Sequence, residues 1–205
     1  MIITILDIET TGLDKCIHDI LEVAYMRIDS KTLEILSHGT LYFYKPEFRI
    51  ENQAQAVHGL TREYLTQFEN EFDDNIVSLY TLIQQSVVIG KNSDNFDLPF
   101  ISMWLNRKAS ILAPVCIVGT LDIQEFLAPH YRKWVASCTG VMPSTRKKGT
   151  LEEYMDMFGY TQESLKMDFI KLYGSERAHA HGALFDVYMT YICVKEAVKQ
   201  FGLRI

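Results

Sequence analysis

Asp7 and Glu9 stand two residues apart in Leu6-Asp7-Ile8-Glu9-Thr10-Thr11-Gly12-Leu13. The run before them, Met1-Ile2-Ile3-Thr4-Ile5, is apolar and largely β-branched, which reads as a buried strand. Residues two apart on a strand face the same side, so both carboxylates project from one face at its end. Crowding them beside a core costs desolvation and mutual repulsion unless something compensates. Mg²⁺, which prefers carboxylate oxygens, is one compensator. The alternative is that the acids simply end the strand in solvent, and this stretch alone weighs the two readings equally.

Two further acids and two histidines stand out. Asp97 lies among apolar neighbours in Phe96-Asp97-Leu98-Pro99-Phe100, and Asp186 follows His181 by five residues in His181-Gly182-Ala183-Leu184-Phe185-Asp186. Taken singly, Asp97 reads as a first-turn acid at a helix N-terminus, where Pro99 is tolerated. Asp186 reads as a partly exposed helix acid. His58, before Gly59, reads as a partly exposed histidine at a helix end, favoured there by the helix dipole.

The elements that must position these groups follow from the pattern. Asp19 to Ile28 and Leu33 to Tyr44 are strand-forming runs separated by Asp29-Ser30-Lys31, so the first three strands form an antiparallel meander. Gly59 serves as a helix C-cap and Thr61 as the next N-cap. Phe72 to Gln85 has helical apolar spacing, Ser86 to Gly90 is a short buried strand, and a helix follows from Phe96 to about Arg107. Pro114 to Leu127 holds a strand and a short helix. Thr150-Leu151-Glu152-Glu153 opens a capped helix that Gly159 ends, and Thr161 to Tyr173 forms another. The last helix, Ala183 to Phe201, carries the stripe Leu184, Val187, Tyr191, Val194, Val198 and Phe201, with Asp186 on its flank. Strands alternating with helices predict an α/β chain with a mixed central β-sheet of about five strands flanked by helices.

The whole chain bounds the reading further. Its 205 residues suit one domain, 1–205, and its 48% hydrophobic and 22% charged composition is that of an ordinary globular protein. No apolar run reaches the roughly 20 residues of a membrane-spanning helix. No basic region precedes the first apolar run and Asp7 and Glu9 interrupt it, so a signal peptide is not expected and a cytoplasmic location is. Cys16, Cys116, Cys138 and Cys193 are scattered with no Cys-x-x-Cys pair, which argues against zinc and for reduced thiols. A net charge of −6 argues against non-specific coating of nucleic acid. From Phe126 to Leu151 no acid occurs, and Arg132, Lys133, Arg146, Lys147 and Lys148 interleave with Tyr131 and Trp134. Gly140, Pro143 and Gly149 suggest a loop there. It is either a grip for single-stranded nucleic acid or a solvated loop.

In combination these stretches resemble the DEDD, or DnaQ-like, exonucleases of the ribonuclease H-like fold. The matching motifs, in order, are Asp7-Ile8-Glu9-Thr10-Thr11-Gly12, Phe96-Asp97-Leu98-Pro99-Phe100 and His181 to Asp186 with Thr190 following. Val57-His58-Gly59-Leu60-Thr61 and Gly149-Thr150-Leu151-Glu152 also match intervening segments. His181, five before the last aspartate, marks the His subclass. Gly182 stands where the rival subclass has tyrosine, and His179 is at the wrong spacing. The third motif is most similar to that of the epsilon proofreading subunits of bacterial replicative polymerases. Asn92 and Ser93 stand where many relatives have His-Asn.

The resemblance implies a metal-dependent 3′–5′ exonuclease releasing nucleoside 5′-monophosphates from single-stranded nucleic acid, DNA favoured and RNA open. Asp7, Glu9, Asp97 and Asp186 would hold two Mg²⁺ ions about 4 Å apart, Mn²⁺ substituting, one activating water and the other stabilising the leaving 3′-oxygen. His181 would be the general base. Leu13 would wedge at the terminal bases, Thr10 and Gly12 would line the substrate site, and His58 and Phe96 would contact the last nucleotides. A DNA polymerase or a second copy of the chain are the further partners it suggests. The chain ends at Ile205, soon after the last helix, which points to a free-standing enzyme.

Overall fold

The computed structural model describes residues 1–108, 115–174 and 182–205. Five strands, β1 (Ile2–Thr10), β2 (Ile20–Asp29), β3 (Ile35–Tyr42), β4 (Val87–Gly90) and β5 (Gly119–Asp122), make one sheet in the order β3-β2-β1-β4-β5. β1 runs antiparallel to β2, and β2 to β3. β4 joins β1 in parallel and β5 joins β4 in parallel. The expected meander and the mixed sheet are therefore both present, and the fold is ribonuclease H-like.

Alternation along β1 divides the core in two. Ile3 and Ile5 face one layer of helices, α5 (Ile123–Thr139), α6 (Leu151–Phe158), α7 (Gln162–Tyr173) and α8 (Ala183–Phe201). Leu6 and Ile8 face the other, with α3 (Phe72–Ile83) and α4 (Asp97–Lys108) as its main helices. The short α1 (Asn52–His58) and α2 (Arg62–Thr66) bridge β3 to α3. Gly59 ends α1 at φ 72°, the left-handed conformation glycine adopts at least cost, and the Thr61 side chain accepts from Tyr64 N–H at the start of α2. Thr150 and Glu153 complete a capping box at the start of α6.

Two expectations are corrected. The acid-free stretch is not a loop throughout, because α5 continues to Thr139 and carries Arg132 and Lys133 on a helix. Asp122 caps its N-terminus, Ile123, Leu127 and Tyr131 bury at four-residue intervals, and Gly140 closes it, so Pro129 is tolerated inside. The last helix is wider in its burial than a single stripe. Phe185, Val187, Tyr188, Met189, Thr190, Tyr191, Ile192, Cys193 and Val194 are all buried, because α8 packs against both β1 and β2. All four cysteines are free, and no described helix is long and apolar enough to cross a membrane.

Candidate active site

Asp7 and Glu9 share the face of β1 that carries Ile3 and Ile5, the face covered by α8, which brings Asp186 from its first turn. Asp97 arrives from the other side as the first residue of α4 and is buried. Its Oδ1 accepts a hydrogen bond from the Ile8 backbone N–H at 3.2 Å. Three separate segments thus bring the four expected acids into one cavity of about 270 Å³, which Lys91, Asn92, Thr150 and Glu152 also line.

The crowding shows in the acidities. Burial holds the Asp7 carboxyl well above the usual range, with Asp97, Asp186, Glu9 and Glu22 adding to it. Glu9 is pushed up to about 9 by burial, then by Glu22, Asp186 and Asp97. Asp97 rises to about 7 through burial, with Asp122 adding to it and backbone N–H groups and Lys91 holding it back. Each anion opposes the ionisation of the others, the condition a cation relieves.

A second cavity, of about 290 Å³, adjoins the first, sharing Ile8, Glu9, Val57 and Phe96. Thr10, Gly12, Leu13, Glu51 and His58 complete its described wall together with Gln53 and Ala54. It therefore gathers every residue expected at the substrate. Thr10 is buried and donates through Oγ1 to the Gly12 carbonyl, shaping the turn. Leu13 projects from that turn, 79% exposed. Gly12 is required by close approach, since a Cβ there would lie 2.5 Å from the His18 ring. His58 is buried, not partly exposed as the helix-end reading supposed. Its Nδ1 accepts from Leu60 N–H at 2.9 Å, which places the proton of the neutral ring on Nε2. Among the described residues Nε2 has no partner at hydrogen-bonding geometry, and burial lowers the ring's pKa against a smaller opposing effect from the Thr10 backbone.

The loop carrying Leu13 is fastened to the far end of α4. The Trp104 Nε1–H donates to Asp19 Oδ1 at 3.0 Å, Lys108 pairs with the same oxygen at 2.9 Å, and Arg107 donates to the Cys16 and His18 carbonyls. At the near end, Asn92 takes a φ of 60° and donates its N–H to Asp122 Oδ1 at 2.8 Å, shaping the turn before Asp97. Ser93, beside it, is fully buried against Gly90. This chain uses Asn92 and Ser93 to build the turn.

His181 and His179 fall outside the described residues. The basic stretch is largely occupied with its own structure. Lys147 pairs with Glu153 at 2.9 Å, Lys148 with Glu125, and Arg132 donates to the Thr145 and Lys147 carbonyls. Tyr131, one of the two rings in that stretch, is buried edge-on to Tyr154. Lys133 and Arg146 are exposed.

Sequence reading missed Glu22. It is buried on β2, directly opposite Glu9 in the strand register, and Tyr42 on β3 is directly opposite Glu22. The Tyr42 hydroxyl donates to Glu22 Oε1 at 3.2 Å. An acid inside an otherwise apolar strand-forming run was the available signal.

The chain belongs to the exonuclease family, whose RNase_T model matches residues 4–193, and it is a DnaQ-like exonuclease domain. The DNA polymerase III subunit epsilon of Buchnera aphidicola subsp. Schizaphis graminum is 29% identical over 136 residues, covering 62% of this chain and 57% of that one. The PolC-type DNA polymerase III of Thermotoga maritima is 25% identical over 103 residues, 50% of this chain and 7% of that one. Among solved structures, the zinc-bound complex of E. coli exonuclease I with single-stranded DNA superposes with a TM-score of 0.67 at 19% identity, covering 97% of this chain and 41% of that one. Exonuclease I from Methylocaldum szegediense gives 0.69 at 18% identity, covering 97% and 40%. This chain thus spans little over half of the epsilon subunit and less than half of the exonuclease I chains.

Proposed function

We propose that residues 1–205 form one exonuclease domain that removes nucleoside 5′-monophosphates from the 3′ end of single-stranded nucleic acid, with DNA as the favoured strand and a divalent cation required. The carrying observation is the junction of the two cavities: four acids line one, and Leu13, His58 and Phe96 line the other, with Glu9 and Phe96 common to both. The single-stranded DNA in the exonuclease I complex supports the strand assignment.

The donor set fits Mg²⁺ or Mn²⁺: it is all carboxylate oxygen, and burial, with the neighbouring carboxylates adding at Asp7 and Glu9, raises the pKa of Asp7, Glu9 and Asp97. Among the described residues no three His, Cys, Asp or Glu side chains make a ready metal cage as they stand. Oδ1 of Asp97 accepts from the Ile8 N–H, and a carboxylate has a second oxygen to offer a cation. Asp7, Glu9, Asp97 and Asp186 would hold the cations, two in number. Bound there, they would supply an activated water and charge neutralisation at the phosphate. His181, assigned by its motif spacing, would accept the water's proton. Leu13 would part the terminal base from its neighbour, and the apolar walls at Val57 and Phe96 would receive it. Lys91, on the wall beside Asp97, would attract the strand's phosphate.

The test is degradation of matched DNA and RNA single strands with Mg²⁺ and with Mn²⁺. A 5′-blocked strand should be shortened and a 3′-phosphate-blocked strand should resist; rapid cleavage of a closed circle would refute the reading. The epsilon and PolC relatives support a second reading, a proofreading domain bound to a polymerase, which co-purification with a polymerase would establish.

A further inference from the structure

Glu9, Glu22 and Tyr42 lie in one transverse row across β1, β2 and β3. Glu22 is 2% exposed, and the Tyr42 hydroxyl fixes one of its oxygens. Tyr42 is itself held. Its ring stacks on Phe68 at 4.1 Å and its hydroxyl accepts from the Tyr64 hydroxyl at 3.3 Å. Hydroxyls linked in series polarise one another, so Tyr64, Tyr42 and Glu22 form an oriented polar chain running from α2 to Glu22. A fifth carboxylate has no packing purpose here, since a glutamine would fill the same volume. What it adds is a buried negative charge, placed on the strand directly opposite Glu9.

We propose that Glu22, oriented by Tyr42 and set directly across the strand pair from Glu9, is a positioning residue whose buried charge sets how tightly the acid cluster binds its divalent cation. The inference rests on the cation-dependent reading above. A buried anion beside the cluster attracts a cation when one is present and repels the other acids when none is. Glu22 therefore trades stability of the cation-free chain for cation affinity. Groups behind a metal's ligands act this way, and their loss commonly weakens metal binding by about 10–100-fold.

The experiment is calorimetric titration of Mn²⁺ into the full chain without nucleic acid, for the wild type, Glu22→Gln, Tyr42→Phe and Asp7→Asn, with each chain's Tm measured in chelator. Glu22→Gln should weaken Mn²⁺ binding by about 10–100-fold and raise the Tm in chelator. Tyr42→Phe should weaken binding in the same direction by less. A merely structural Glu22 would show the opposite signs, a lowered Tm in chelator with unchanged affinity, and that result overturns the proposal. Unchanged affinity in Glu22→Gln, with binding lost in Asp7→Asn, removes the role of Glu22 and leaves the cation site standing. If the wild type binds no Mn²⁺, or Asp7→Asn binds it normally, the cation-dependent reading falls and this inference with it.

Discussion

The Ile8 backbone N–H and the Asp97 carboxylate, 89 residues apart in sequence, are joined by a buried hydrogen bond of 3.2 Å. It ties the second acidic segment to the strand that carries the first. Asp97→Asn keeps an oxygen for Ile8 but removes a charge, so the chain should fold while turnover falls by about 10²-fold or more, the size of losing a preorganised electrostatic contact. Asp97→Ala also leaves the Ile8 N–H unpaired, at a cost of about 1–3 kcal/mol. Denaturant midpoints of the two variants should separate by that margin. Equal midpoints would mean the bond contributes nothing.

Stability in chelator should fall with rising pH. Glu9 and Asp97 titrate at about 9 and about 7 in the folded chain, against about 4 in an unfolded one. Between those limits the folded state holds protons the unfolded state has released. The stability is complete below the unfolded pKa and is lost as pH climbs through 7 and then 9. The Tm in EDTA should drop between pH 5 and pH 9, and saturating Mg²⁺ should flatten the profile. A flat profile in EDTA would show that the cluster's repulsion is relieved by some other route.

His181→Ala should lower turnover by about 10²–10⁴-fold, the usual effect of losing a general base, with little change in cation or strand affinity. His179→Ala should be mild. The reverse ranking, read from single-turnover kinetics, would place the third motif in the wrong register.

Gly12→Ala should weaken strand binding several-fold with less effect on turnover. Its Cβ would meet His18, whose Nε2 sits 3.2 Å from Glu51 and whose Nδ1 is taken by the Asp14 N–H. The pinned ring cannot yield without disturbing the cavity wall. An unchanged KM would show that this wall does not touch the strand.

Much of the architecture was legible because its signals are periodic or local. Alternation placed Asp7 and Glu9 on one face, and the caps at Gly59, Thr61, Thr150 and Gly159 were readable residue by residue. The residues missed or misread depend on register and packing. Glu22 became visible only when strand pairing set it opposite Glu9. His58 looked like a partly exposed helix end until the second cavity closed around it. Lys147 and Lys148 looked free for phosphate until Glu153 and Glu125 were found beside them. α5 was underestimated because Gly140, Pro143 and Gly149 suggest a loop across the whole basic stretch, whereas the helix, buried along one side, runs on to Thr139 before Gly140 closes it.

α4 begins with Asp97 and ends on the loop that displays Leu13, gripping it through Trp104, Arg107 and Lys108. Its twelve residues make a strut about 18 Å long. In the proposed enzyme this strut would be a ruler. The gap between the point where a base is parted and the point where the backbone is cut would not stretch with the strand. Each cycle would then remove one nucleotide whatever the base, and a long digestion should yield nucleoside 5′-monophosphates throughout.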